Sequence, residues 1–275
     1  MWNNNWSKET GLPIPPMNAV PDPTVVHWVT LIYIALVGIG LLYALVNVRQ
    51  PKGRVMLLVM IGGALSILCE PLLDLLGAAW YPIVNIPVAF ELMGRPMPAW
   101  LILAYTVFFG FVGSFTILSF QRGVTQTQIW LMFLVPICLD IFQQEVLLHY
   151  QLLMYYGNQP LILLWKFPFW WAPCDSFGDF LAATVFFLLM PYMRGTRALA
   201  LPLIYPVVDF IGYAAVSIPG FNAVNTQMPN WATQLCGLAS WLMVIPLVWF
   251  IARFVAIDSP FRGAFRLPLA SASLT

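Results

Sequence analysis

Seven apolar stretches constrain this chain more than any other feature. They run about His27–Val48, Val55–Gly77, Pro98–Phe120, Thr127–His149, Pro173–Met193, Ala198–Ile218 and Trp231–Val255. Each is long enough to cross roughly 30 Å of hydrocarbon as a helix. Backbone polar groups in lipid must be satisfied within the segment, and for runs of this length only a helix does so. The predicted fold is therefore all-α: a polytopic membrane protein with seven transmembrane helices. Composition agrees, since 8% of the 275 residues are charged against roughly 25% in a soluble domain. The lipid bilayer of the cell membrane is the expected surrounding. The basic residues are too scattered for a nucleic-acid surface.

Lysine and arginine set the orientation. Arg49, Lys52, Arg54, Arg122, Arg194, Arg197, Arg253, Arg262 and Arg266 fall on one side, and Lys8, Arg95 and Lys166 on the other. The richer side is predicted to be cytoplasmic, with the N-terminus outside and the C-terminus inside. Residues 1–26 form a polar, Pro-rich extracytoplasmic segment with no apolar run of the signal-peptide kind. The membrane domain covers 27–255, and 256–275 is a cytoplasmic tail. Cys69, Cys138, Cys174 and Cys236 show neither metal-ligand nor disulfide spacing and are expected to be buried, inert thiols.

The acids are the informative minority. Glu70 and Asp74 lie four residues apart, on one helical face, with Pro71 expected to loosen the helix beside Glu70. A carboxylate inside a membrane costs roughly 3 kcal/mol or more and usually faces a protein interior or a wet cavity. Headgroup depth is the alternative for this pair. Asp175 and Asp179 repeat the spacing. Asp140 shares a face with Gln144, and Glu145 with His149. Asp209 is the deepest acid, with Tyr205 and Tyr213 four residues to either side. With Glu91, which surface electrostatics explains by itself, these acids gather toward the outer side. Two long outer loops, Ala78–Met97 and Tyr150–Ala172, are apolar and aromatic where ordinary loops are polar. They carry Trp80, Tyr81, Phe90, Tyr155, Tyr156, Trp165, Phe167, Phe169, Trp170 and Trp171. Such loops form either an interfacial aromatic belt or a lid over the helix ends.

Carboxyl groups removed from water can act as general acids, and aromatic faces attract cations. Together they suit acid-initiated reactions of hydrocarbons that pass through carbocations. Glu70, Asp209, Asp140, Glu145 and Asp74 are the candidate catalytic groups. His149, Asp175, Asp179, Tyr205, Tyr213, Trp170 and Trp171 are the candidate substrate-binding groups. No metal site and no cofactor is expected: the chain has two histidines and no aspartate-rich run, and the seventh span has no lysine for a retinal Schiff base. A proton-coupled transporter and a lipid-binding accessory protein remain alternatives.

Two resemblances accompany these residues. Glu70-Pro71-Leu72-Leu73-Asp74, then Ala89-Phe90, Gly94-Arg95-Pro96-Met97-Pro98 and Tyr155-Tyr156-Gly157-Asn158-Gln159-Pro160-Leu161, resemble a group of uncharacterised actinobacterial multi-pass membrane proteins. The overall plan is similar to the seven-helix, membrane-bound terpene cyclases of meroterpenoid pathways. That similarity implies an isoprenoid substrate protonated by an early-helix Glu and a late-helix Asp, matched by position to Glu70 and Asp209. In that family an aromatic residue usually adjoins the Glu, whereas here Cys69 and Pro71 flank it.

Overall fold

The computed structural model describes residues 5–163 and 166–260. Trp165, Arg262, Arg266 and the tail beyond 260 lie outside the described residues. Eight α-helices dominate: α1 Pro23–Val46, α2 Pro51–Ser66, α3 Glu70–Gly77, α4 Ala99–Arg122, α5 Gln126–His149, α6 Trp171–Leu189, α7 Leu201–Val224 and α8 Asn230–Val255. A 3-10 turn, Ile67–Cys69, joins α2 to α3 in one span, Pro51–Gly77, and another, Gly195–Ala200, leads into α7. Among the described residues, seven helical segments are long and apolar enough to cross a membrane.

Local chemistry sets the boundaries. Asp22 caps α1, its carboxylate accepting from the Thr24 amide at 2.8 Å, so this helix begins four residues before the expected start. Thr125 and Gln128 form a reciprocal capping box on α5. Pro71 cannot donate a backbone hydrogen bond; the helix tightens into the 3-10 turn just before it and restarts at Glu70. The sixth span runs past Ile218 to Val224, with Pro219 held inside it.

Two additions depart from a purely helical plan. β2 (Val88–Leu92) and β3 (Arg95–Pro98) pair as an antiparallel hairpin, and β1 (Ala79–Trp80) pairs with β4 (Met154–Tyr155). The second pairing stitches the two long loops together. Those loops fold inward over the helix ends as a lid. Trp170 and Phe167 are fully buried, and Trp80, Tyr155, Tyr156 and Trp171 nearly so. The lid is pinned by Gln159. Its amide donates to the carbonyls of Gly77 (2.9 Å) and Tyr156 (2.8 Å), and its oxygen accepts from the Trp170 indole at 3.1 Å. Asn225, which caps the end of α7, donates to the Leu76 carbonyl at 2.6 Å. These bonds define one loop end of the bundle.

The helices are not packed evenly. α4 packs on α1, α2 and α6, and α5 on α6 and α8, but α4 and α5 barely touch although they are adjacent in sequence. Of the cysteines, Cys174 is buried, Cys69 and Cys236 partly so, and Cys138 exposed, which corrects the expectation that all four are interior.

Candidate functional site: a carboxyl cavity beneath the lid

At the helical rise of 1.5 Å per residue, Glu70 lies about 10 Å, Asp175 about 6 Å and Asp140 about 14 Å from the loop end of their spans. The packing of α3, α6 and α5 nevertheless brings the three together. With Asp74 they line one cavity, which Tyr81, Tyr105, Gln143, Gln144, Tyr155, Trp171 and Tyr213 also line. Its volume is about 60 Å³, room for a few waters or for one end of a larger molecule.

The carboxyl groups are held in different ways. Glu70 accepts from two phenols, that of Tyr81 at 2.9 Å on one oxygen and that of Tyr105 on the other. Both oxygens therefore act as acceptors, and hydrogen bonds to a charged group are worth about 1.5–3 kcal/mol each. Asp140 accepts from the Gln144 amide at 2.9 Å through one oxygen, and its other oxygen is buried without a partner. Gln144 in turn accepts from the Tyr155 phenol. Among the described residues, both carboxyl oxygens of Asp74 are buried and unpartnered, as is the Tyr213 hydroxyl. Buried polar groups without partners are uncommon and call for a ligand or water.

The phenols contributed by the loops are neutral donors. Burial, then the charges of Glu70 and Asp74, push Tyr81 well above its ordinary value. Burial, then the charges of Asp140 and Asp175, do the same for Tyr155. Arg95 on β3 is buried behind the cavity. It donates to the Ala79 carbonyl (3.3 Å) and the Tyr156 hydroxyl (2.5 Å) and stacks over Trp80 at 5.4 Å. It is not part of the lining.

A second acidic group lies deeper. Asp179 accepts from the Tyr205 phenol, and Gly113 lets this pair approach α4: a Cβ there would overlap the phenol and meet Asp179 Oδ1 at 3.1 Å. Asp209, about 22 Å from the loop end of α7, packs against Gly178, where an added Cβ would sit 2.6 Å from its Oδ1. Ser66 is beside it. Asp209 does not line the cavity that Glu70 lines.

Three other expected site residues lie elsewhere. Glu145 accepts from the backbone amides of Lys166 (3.1 Å) and Phe167 (2.8 Å) and so fastens the second loop. His149 is exposed, edge-on to Tyr150. Trp170 is packed over Gly220 as part of the lid. Sequence reasoning missed Tyr105, a single phenol in an otherwise apolar turn of α4. It also gave no cavity role to Tyr81 or Tyr155, which it assigned to the aromatic loops. Among the described residues, no three His, Cys, Asp or Glu side chains are grouped to hold a metal ion.

No protein-family model, curated protein or solved structure matches this chain.

Proposed function

We propose that this protein is a membrane-embedded cyclase or isomerase that acts on an isoprenoid or similarly apolar substrate by proton transfer. The loop end faces outward, in keeping with the lysine and arginine distribution, and the bundle sits in the cell membrane. The observation that carries the reading is the convergence of four carboxyl groups in one buried, phenol-lined cavity, with unpartnered oxygens on Asp74 and Asp140.

Asp140 carries the proton in this scheme. Its hydroxyl hydrogen passes to an olefinic carbon or an epoxide oxygen at the substrate's end, leaving a carboxylate and a carbocation. Glu70, oriented by Tyr81 and Tyr105, stabilises the cation electrostatically, as do the faces of Trp171 and Tyr213. A proton lost from the neighbouring carbon returns to a carboxylate, so the substrate's formula is unchanged. No cofactor enters the scheme.

The test uses a panel of isoprenoid alkenes, epoxides and alcohols presented in vesicles carrying the purified protein. Wild type should convert at least one, and Asp140→Asn, expressed at normal levels, should lose most of that conversion. Full activity in Asp140→Asn and Glu70→Gln would overturn the proposal. A second reading, a proton-coupled transporter, draws on the acids that continue inward from Asp175 through Asp179 to Asp209. Proton flux in liposomes without product formation would favour it.

A further inference from the structure

A second hollow lies along two of the same helices, α4 and α5. On α4 the lining face of Tyr105 and Phe108 carries on, at steps of three or four residues, through Val112 and Phe115. On α5 the face of Gln144 and Asp140 carries on through Pro136 and Met132. Residues at this spacing share one side of a helix. The continued faces bound an apolar groove of about 470 Å³ between the two helices that barely touch. Its rim is open to the surroundings at Phe115 (62% exposed) and Leu139 (56%). A small polar cavity and a larger apolar groove thus lie in succession along the same two helices, the groove running away from the loop end.

We infer that the groove binds the hydrocarbon chain of a single-chain amphiphile with an uncharged head, and that this head enters the carboxyl cavity laterally between α4 and α5. The inference rests on the proposed function for what happens to the head, not for the occupancy of the groove. Charge selects the class. Four carboxyl groups line the cavity and no Lys, Arg or His does, while Arg95 is engaged behind it. A phosphate, diphosphate or carboxylate head would be buried there with no cation in the lining to balance its charge. The orientation suits a lipid of the leaflet at the loop end, its head near that surface and its chain toward the midplane.

The experiment is photolabelling with a photoreactive farnesol analogue in phosphatidylcholine vesicles, with adducts mapped by mass spectrometry. Adducts should concentrate on Phe115, Val135 and Leu139 and fall several-fold with excess farnesol, but not with excess palmitate. Val135→Trp, which fills the groove from a lipid-facing position, should reduce labelling several-fold. Val135→Ala should retain it, so a folding defect is separable from a blocked groove. Labelling that is equal on the lipid-facing Leu42 and Leu242, or competed equally by palmitate, would overturn the inference. Failure of the chemistry with labelling intact counts against the proposed function alone, and product formation with no groove labelling counts against this inference alone.

Discussion

The indole of Trp171 lies across the bare Cα of Gly77, so closely that a methyl group added there would overlap its six-membered ring. One residue closes the roof of the cavity and the other ends the helix that supplies Glu70 and Asp74. Trp171 also meets Tyr155 and Tyr213 edge-on, with centroids 5.0 Å and 5.6 Å apart. Gly77→Ala should lower thermal stability by about 1–3 kcal/mol, the usual cost of overpacking a core. Thermal unfolding in detergent, followed by tryptophan fluorescence, measures it. An unchanged midpoint would mean that the two elements are not in this contact.

Gln159 ties both loops to the end of α3. Replacing it with Leu leaves the Gly77 carbonyl and the Trp170 indole without these partners, at about 1–3 kcal/mol for an orphaned buried group. Gln159→Leu should therefore unfold at lower temperature and expose the Trp170–Trp171 region to proteolysis. A variant as stable and as resistant as wild type would show that the lid is held by other means.

The two phenols on Glu70 should act as a unit. Tyr81→Phe and Tyr105→Phe each remove one donor, at about 1.5–3 kcal/mol for bonds to a charged acceptor. Because the second removal leaves the carboxylate with neither phenol, the double variant should lose more stability than the sum of the singles. Strictly additive losses in a double-mutant cycle would show that the two bonds are independent.

Glu145 is expected to matter to the loop and not to the chemistry. Glu145→Ala should speed hydrogen exchange at the Lys166 and Phe167 amides, which it accepts from, while leaving groove labelling in place. Unaltered exchange at both amides would contradict this assignment.

The spans were readable because lipid demands long apolar helices, and each observed boundary falls within a few residues of the expected one except the end of the sixth. Four-residue spacing placed Glu70 with Asp74 and Asp140 with Gln144, since those pairs lie within single helices. Asp175 and Asp179 have the same spacing, but Asp175 lines the cavity while Asp179, one turn on, meets Tyr205 on another helix, and only the packing of α6 on α7 decides that. Glu145 and His149 shared a face, but the loop after Tyr150 recruits the acid and leaves the imidazole outside. The pairing of Ala79 with Tyr155 joins residues too far apart in sequence for any local pattern to announce it. Tyr105 looks like any interfacial aromatic until Glu70 is placed beside it.

The most direct measurement is deuterium incorporation. The purified protein in vesicles, given the epoxide-free alkenes of the panel in D₂O, should yield product carrying deuterium bound to carbon, and Asp140→Asn should yield almost none. Alkene product without carbon-bound deuterium, or equal incorporation by wild type and Asp140→Asn, would contradict proton delivery from the carboxyl cavity.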